Sequence, residues 1–365
     1  MIALLGLLAL PGTTAFVLQT TIRARATRRH VGSDEVMQCL RREYVSFFDP
    51  LEPQYYVDDV TFEDPLSTLA GIGKYRNNVD MLAGRTALGK LLFRDASIAL
   101  HDVRETGERR LRTRWTLRVT FEILPWKPVA RFTGISDYEL DPATNKVAKQ
   151  IDYWDSIDLR EGGLYERSSK LDGLRDFVDQ VTKQSYAENE LPYELLRRAK
   201  DYSIRRYPAT ADVAVDYNAR PVAYDQLGAY AAGVNALRQK LQPFLPSVVT
   251  VPRDATSSSP KVMRWAVAID EDASELPEPK DPAVRRAASE QTVVAVARFT
   301  SAATAQSVAY YAGLLEAQLK KDGLTPASGS DTVFTVAQYD AIYSVGDRRN
   351  EIWIPIDVPD YWQLP

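Results

Sequence analysis

Between residues 111 and 123 apolar and polar positions alternate almost without a break. LRTRWTLRVTFEI places Leu111, Thr113, Trp115, Leu117, Val119, Phe121 and Ile123 on one face and Arg112, Arg114, Arg118 and Glu122 on the other. A period of two predicts a long strand with one buried face. VARFTGISDYEL and VAKQIDYWDSI repeat the pattern, and the DPATNK between them is a turn sequence. Upstream the period becomes helical, in SDEVMQCLRREYVSFF, with Ser33 or Asp34 as N-cap, and in GIGKYRNNVDMLAGRTA. Helices followed by long antiparallel strands predict an α+β domain over residues 33–160, a curved sheet wrapped over helices.

Residues 161–190 are polar apart from LDGLRDFVDQV and read as a linker carrying a short helix. From 191 to 358 strand and helix periods alternate in two similar sets. YELLRRAKDYSIRRYP and TADVAVDY precede one helix and KVMRWAVAI follows it. TVVAVARF precedes a second helix, TAQSVAYYAGLLEAQLKKDG, and TVFTVAQYD and NEIWIPID follow. The second helix has the stripe Val308, Tyr311, Leu315 and Leu319, with Gly323 as its stop. The sets predict a second α+β domain, a duplicated barrel-like sheet with two helices, alike in pattern rather than in residue identity. The first of those helices, YDQLGAYAAGVNALRQKL at 224–241, aligns Leu227, Tyr230, Ala231, Val234, Leu237 and Leu241 on one stripe. Taken alone, that stripe is a helix face packed on its sheet.

Composition narrows the function. Hydrophobic residues make up 45% of the 365 and charged residues 26%, values of a globular chain. A net charge of −4 argues against nucleic acid as the main partner. One cysteine, Cys39, and two histidines, His30 and His101, exclude an intrachain disulfide framework and a structural zinc site. MIALLGLLALPGTTA has the short apolar core and small residues of a secretory signal, too short to span a bilayer. FVLQTTIRARATRRH adds four arginines with no acid before Asp34, which is transit-peptide chemistry. Residues 1–32 together resemble the bipartite leader of proteins entering plastids of secondary origin in diatoms and related algae. That resemblance implies a chloroplast protein of the stroma, with no transmembrane segment in the mature chain; an ordinary secretory signal is the alternative.

No phosphate-cradling glycine loop, metal-ligand spacing or nucleophile elbow is present. In the first domain Asp64, Asp152, Asp155 and His101 are the candidate acid–base groups, serving if burial raises a carboxyl into the working range. The structural alternative has the carboxylates capping turns or pairing with Arg112, Arg114 or Arg118, and His101 hydrogen-bonded in place. The arginines of 111–118 lack interleaved exposed aromatics and read as a solvated strand face.

In the second domain several short segments recur in a known order. They are Arg206-Tyr207 with Arg205 before them; Leu227, Tyr230, Gly233 and Asn235; Pro277, Pro279, Asp281 and Val284; and Tyr339, Asp340 and Arg348-Arg349-Asn350-Glu351-Ile352. Over residues 191–357 this set resembles the SOUL/heme-binding protein family, departing from it at SVVTVPRD (247–254). The first domain, through YYVDDVTFEDPLSTLAGIGKYRNNV, PWKP and DYWDSID, resembles a plant and algal domain of unknown function (family 2358). That domain belongs to the nuclear transport factor 2-like superfamily of cone-shaped folds, and in photosynthetic eukaryotes it also occurs fused to a SOUL domain.

The SOUL resemblance implies binding of heme or a related porphyrin. A macrocycle is a broad apolar plate, and the resemblance points to Tyr224, Leu227, Tyr230, Ala231 and Val234 as its contacts. Arg220 and Arg238, with Lys240 nearby, would meet the ligand's carboxylates. The second domain contains no histidine; Tyr224, Tyr230 or Met263 are the conceivable ligands to iron, and binding without a strong axial protein ligand is expected. The implied role is a non-catalytic plastid protein that buffers or delivers heme, with tetrapyrrole-metabolism proteins as partners. The rivals are an enzyme acting on a small hydrophobic substrate in the first domain, and a scaffold that binds no ligand.

Overall fold

The computed structural model describes residues 31–182, 189–254, 261–340 and 348–357. The leader expected over 1–32 therefore lies almost wholly outside the described residues. The chain divides into two compact units.

The first unit contains α1 (Ser33–Val45), β1 (Tyr56–Glu63), β2 (Thr68–Ala70), α2 (Ile72–Leu82), α3 (Ala87–Leu92), β3 (Phe93–Gly107), β4 (Arg110–Phe121), β5 (Val129–Leu140), β6 (Val147–Trp154), a helical turn at Asp155–Asp158 and α4 (Lys170–Thr182). The sheet order is β2-β1-β6-β5-β4-β3, with β1 parallel to β6 and the other pairs antiparallel. The inward face of β4 is as its alternation predicts through Phe121, whereas Ile123 lies past the strand end and is exposed. Arg114 departs from the solvated face expected of it. It is buried, and its Nη2 lies 2.7 Å from Asp155 Oδ2. The helix in the segment read as a linker is α4, and its Phe177 and Val181 belong to the core of the first unit. Phe177 meets Phe121 edge-on at 5.3 Å, and Trp126 Nε1 donates to the Val181 carbonyl at 2.7 Å. Burying one such aromatic contributes roughly 1.5–3 kcal/mol.

The second unit contains β7 (Glu194–Arg198), β8 (Ser203–Tyr207), β9 (Thr210–Tyr217), α5 (Arg220–Ala231), β10 (Ser247–Pro252), β11 (Lys261–Ile269), β12 (Val284–Ser289), β13 (Thr292–Phe299), α6 (Ala305–Lys321), β14 (Val333–Gln338) and β15 (Asn350–Pro355). Its sheet runs β12-β9-β11-β10-β14-β15-β13-β8-β7. The expected duplication is present in the topology. β9, α5, β10 and β11 form one repeat, with β11 between β9 and β10; β13, α6, β14 and β15 form the other, with β15 between β13 and β14. The repeats join where β10 and β14 run antiparallel, setting Val249 opposite Val336 and Val251 opposite Phe334.

Helix α6 follows its sequence signals. Thr304 and Ser307 form a reciprocal capping box, Val308, Leu315 and Leu319 are buried, and Gly323 turns the chain at φ +69°. Helix α5 does not run to Leu241. It ends at Ala231, because Gly233 takes up φ +106° and Asn235 turns back on the helix. Asn235 Nδ2 donates to the Tyr230 and Gln239 carbonyls at 3.1 and 2.7 Å, and its Oδ1 accepts the Gln239 N–H. A Cβ at position 233 would lie 3.3 Å from the Arg238 carbonyl oxygen, so glycine fits both the angle and the space.

Candidate functional site

A groove of about 450 Å³ lies over the join between the two repeats. Its floor is the outer face of the central strand pair, where Val249 and Val251 of β10 meet Val336 and Phe334 of β14. Val308 and Ala309 of α6 and Tyr217 at the end of β9 extend the apolar wall. The volume lies inside the roughly 300–1,000 Å³ of ordinary ligand sites.

Positive charge stands at the rim. Arg220, at the start of α5, donates from Nη2 to the Ala303 carbonyl at 3.2 Å and so bridges to the entry of α6. Lys261 lines the groove, is exposed, and has no ion-pair partner among the described residues. Arg253 is already engaged. It lies 2.5 Å from Glu316, donates to the Val333 and Ser330 carbonyls, and sits 4.5 Å over the Phe334 ring. Thr304 and Ala305 bring the N-terminus of the long helix α6 to the same rim, which favours anionic groups. At the back, Gln338 is buried, and its Oε1 has no hydrogen-bond partner among the described residues. Burial pushes the Tyr217 hydroxyl upward in pKa while Arg220 beside it pulls the other way. An apolar floor with cations and a helix N-terminus at one edge suits a flat anionic ligand, and residues 191–358 contain no histidine.

Of the residues proposed from sequence, only Arg220 lines this groove. Leu227, Tyr230 and Ala231 face the sheet, packed with Ala211, Val213 and Val215, and the Tyr230 hydroxyl donates to the Pro277 carbonyl at 2.6 Å. Tyr224 is half-buried with its ring 5.9 Å from Trp265. Val234 and Arg238 lie beyond the helix end and are exposed, Arg238 at φ +53°. The stripe is thus a core face at Leu227, Tyr230 and Ala231 and a surface turn at Val234 and Leu237, while Leu241, beyond the helix, packs back on the same core. Met263 is fully buried in the same core. The sequence signal for the groove lay in the segment where the family pattern breaks: Val249, Val251, Arg253 and Asp254 of SVVTVPRD all line it.

Five of the residues that carry the resemblance, Arg205, Tyr207, Tyr339, Arg349 and Glu351, gather elsewhere. Glu351, 1% exposed, receives Arg205 at 3.0 Å, Arg349 at 3.2 Å, the Tyr339 hydroxyl at 2.9 Å and the Trp353 indole at 3.0 Å. Burial alone would raise the Glu351 carboxyl; the two guanidiniums hold it below its ordinary value. Tyr207 joins by accepting from Arg205 at 3.2 Å. This cluster organises the inner face of the sheet.

In the first unit Asp64 caps a turn, accepting the Leu66 and Ser67 N–H groups. Asp155 pairs with Arg114 and accepts from Thr133 and Tyr165. His101 is buried with Nε2 2.8 Å from Thr116 Oγ1. Asp152 differs. Its Oδ1 accepts from Ser136 at 2.6 Å and Gln150 at 2.8 Å, and burial pushes its pKa up to about 7. Trp115, Phe121 and Trp154 occupy one packed core. Among the described residues no cluster of histidine, cysteine and carboxylates could hold a metal ion, and no helix is long and apolar enough to cross a membrane.

No curated protein matches the chain. Among solved structures it is similar to two NTF2-like proteins of unknown function. One is from Exiguobacterium sp. 255-15 (17% identity, 32% of this chain and 98% of that one, TM-score 0.25). The other is from Cytophaga hutchinsonii (12%, 35% and 95%, TM-score 0.24). A further likeness is to SalBIII, an epoxide hydrolase/cyclase-like enzyme in pyran ring formation in the polyether salinomycin (10%, 33% and 92%, TM-score 0.26). The model of an uncharacterized conserved protein family, DUF2358, matches residues 34–149, and residues 188–355, the sheet that carries the groove, match the SOUL heme-binding protein family.

Proposed function

We propose that the second unit binds a tetrapyrrole, heme or a related porphyrin, in the groove over the β10–β14 pair. The supporting observation is the valine and phenylalanine floor bordered by Arg220, Lys261 and the start of α6, in a segment that matches a heme-binding family. The plate lies on Val249, Val251, Phe334 and Val336, and its carboxylates meet Arg220 and Lys261. At roughly 25 cal/mol per Å², burying one porphyrin face supplies several kcal/mol before the costs of association. Iron then has no strong axial protein ligand, so the site holds heme by contact and charge and releases it readily. That behaviour suits buffering or delivery to tetrapyrrole-metabolism proteins rather than catalysis. The apolar and arginine-rich composition of residues 1–32 supports a location in the stroma of a secondary plastid.

Titration with hemin, read in the Soret region, tests the site. Saturable one-to-one binding is expected, weakened at least tenfold by Val251→Asp, which sets a charge into the floor, and several-fold by Lys261→Glu. No saturable binding to the folded protein, or affinity untouched by both substitutions, defeats the proposal. A fluorescent reporter behind residues 1–32 in a diatom tests the location; secretion into the medium would overturn it.

A further inference from the structure

The inner face of the same sheet carries a second cavity, also of about 450 Å³, to which every strand from β8 to β15 contributes. Its register separates it from the groove. On β10 Val248 faces inward while Val249 and Val251 face outward, and on β14 Thr335 faces inward while Phe334 and Val336 face outward. The cavity lies at the end where β8 passes into β9 and β12 turns into β13.

Its walls are chemically unlike. On one side Tyr207 and Trp353 stack with ring centroids 4.5 Å apart and planes at 25°, a flat aromatic surface tied down by the Glu351 cluster. On the other stands Asp212, 3% exposed, in a position flanked along β9 by alanines at 211 and 214 and a valine at 213. Its Oδ2 accepts the Ser289 hydroxyl at 2.5 Å and lies 3.7 Å from Arg264 Nη1. The Thr210 side chain also bears on this carboxyl, and Oδ1 is buried with no hydrogen bond of ordinary geometry among the described residues. An acceptor left in that condition costs free energy that packing alone gives no reason to spend. Arg264 donates from Nη1 to Ser289 at 2.6 Å and also lines the cavity. One wall thus offers an aromatic surface, and the other an acceptor beside a set of donors. Asp212 lines the cavity, so a donor that enters it can reach this carboxylate.

We propose that this inner cavity is a second ligand site, distinct from the groove, for a small planar molecule whose edge carries a hydrogen-bond donor beside an acceptor, as a primary carboxamide or a nucleobase does. The donor meets Asp212, the acceptor meets Arg264, and the ring lies against Trp353 and Tyr207. A porphyrin does not suit it: the macrocycle needs a broad apolar plate, and half of this wall is polar.

The test uses the full chain and isothermal titration with nicotinamide and adenine as probes. Benzoate (acceptor only) and benzylamine (donor only) serve as controls. Saturable one-to-one binding of at least one probe in the millimolar range or tighter is expected, at least tenfold tighter than either control. Asp212→Leu should weaken it tenfold or more and leave hemin affinity unchanged; because Ser289 and Arg264 lose their acceptor, a modest fall in melting temperature is expected and is measured alongside. Should Asp212→Leu fail to fold, Thr335→Trp fills the cavity from β14 and should abolish probe binding alone. Failure of both probes to saturate, equal binding of the controls, or binding that survives both substitutions overturns the proposal. Displacement of the probe by hemin would show one site where two are argued.

Discussion

Tyr230→Phe separates a helix face that packs from one that binds. In the structure the Tyr230 ring is 2% exposed and its hydroxyl donates to the Pro277 carbonyl at 2.6 Å. Removing the hydroxyl leaves that carbonyl buried without its donor, a loss of about 1–3 kcal/mol. A domain of this size loses about 2–4 °C per kcal/mol, so the melting temperature should fall by roughly 2–12 °C. Tyr230→Ala adds a cavity and should cost about 3–5 kcal/mol in total. Differential scanning calorimetry measures the loss, and a hemin titration below the lowered transition measures binding. The affinity of Tyr230→Phe should stay within twofold of the parent, because the groove contains no part of this side chain. A tenfold loss of hemin affinity at an unchanged melting temperature would refute the placement and return the ligand to the α5 face.

Raising salt from low to physiological ionic strength should weaken hemin binding in the parent and much less in an Arg220→Gln, Lys261→Gln double variant, read from Soret titrations at each salt; equal salt dependence contradicts the charged rim. Burial raises the carboxyl pKa of both Asp152 and Glu43 to about 7 in the fold, above their unfolded values. Their folded forms therefore bind protons more tightly, and the stability that these two groups contribute should be full below about pH 4 and be lost as pH rises through about 7. Asp152→Asn should flatten part of that decline, by at most about 4 kcal/mol, in urea unfolding followed across pH; an unchanged slope refutes the assignment. Glu351→Ala strands Arg205 in the inner face and should cost about 3–5 kcal/mol in denaturant midpoint analysis, with a loss below 1 kcal/mol counting against the cluster.

Much of the fold could be read from local periodicity, because each β-strand or helix announces its buried face within a few residues. β4 is the clear case, from Leu111 to Phe121. Where a long-range partner decides, the pattern fails: Arg114 reads as surface and is buried because Asp155 meets it. The end of α5 was present in the sequence as Gly233 and Asn235, but an apolar stripe continuing through Val234 and Leu237 outweighed them. Those two side chains turn out exposed. The groove was legible least. Its floor pairs Val249 with Val336 and Val251 with Phe334, a register that no local pattern states. Arg220 is legible because a cation at the start of a helix is a local feature, to which the resemblance adds an anionic ligand.

The join between β10 and β14 also puts the candidate site on a timetable. A chain leaving the ribosome exposes Val249 and Val251 long before their partners exist, and β8 waits likewise for β13. Until Gln338 has emerged the outer valines of β10 face an empty edge, which aggregation or a chaperone can occupy. Every other local structure of the second unit's first repeat can form earlier. The proposed groove is therefore complete only near the end of synthesis: a chain truncated before β14 lacks Phe334 and Val336, half of the floor, and the pairing that holds Val249 and Val251 in register.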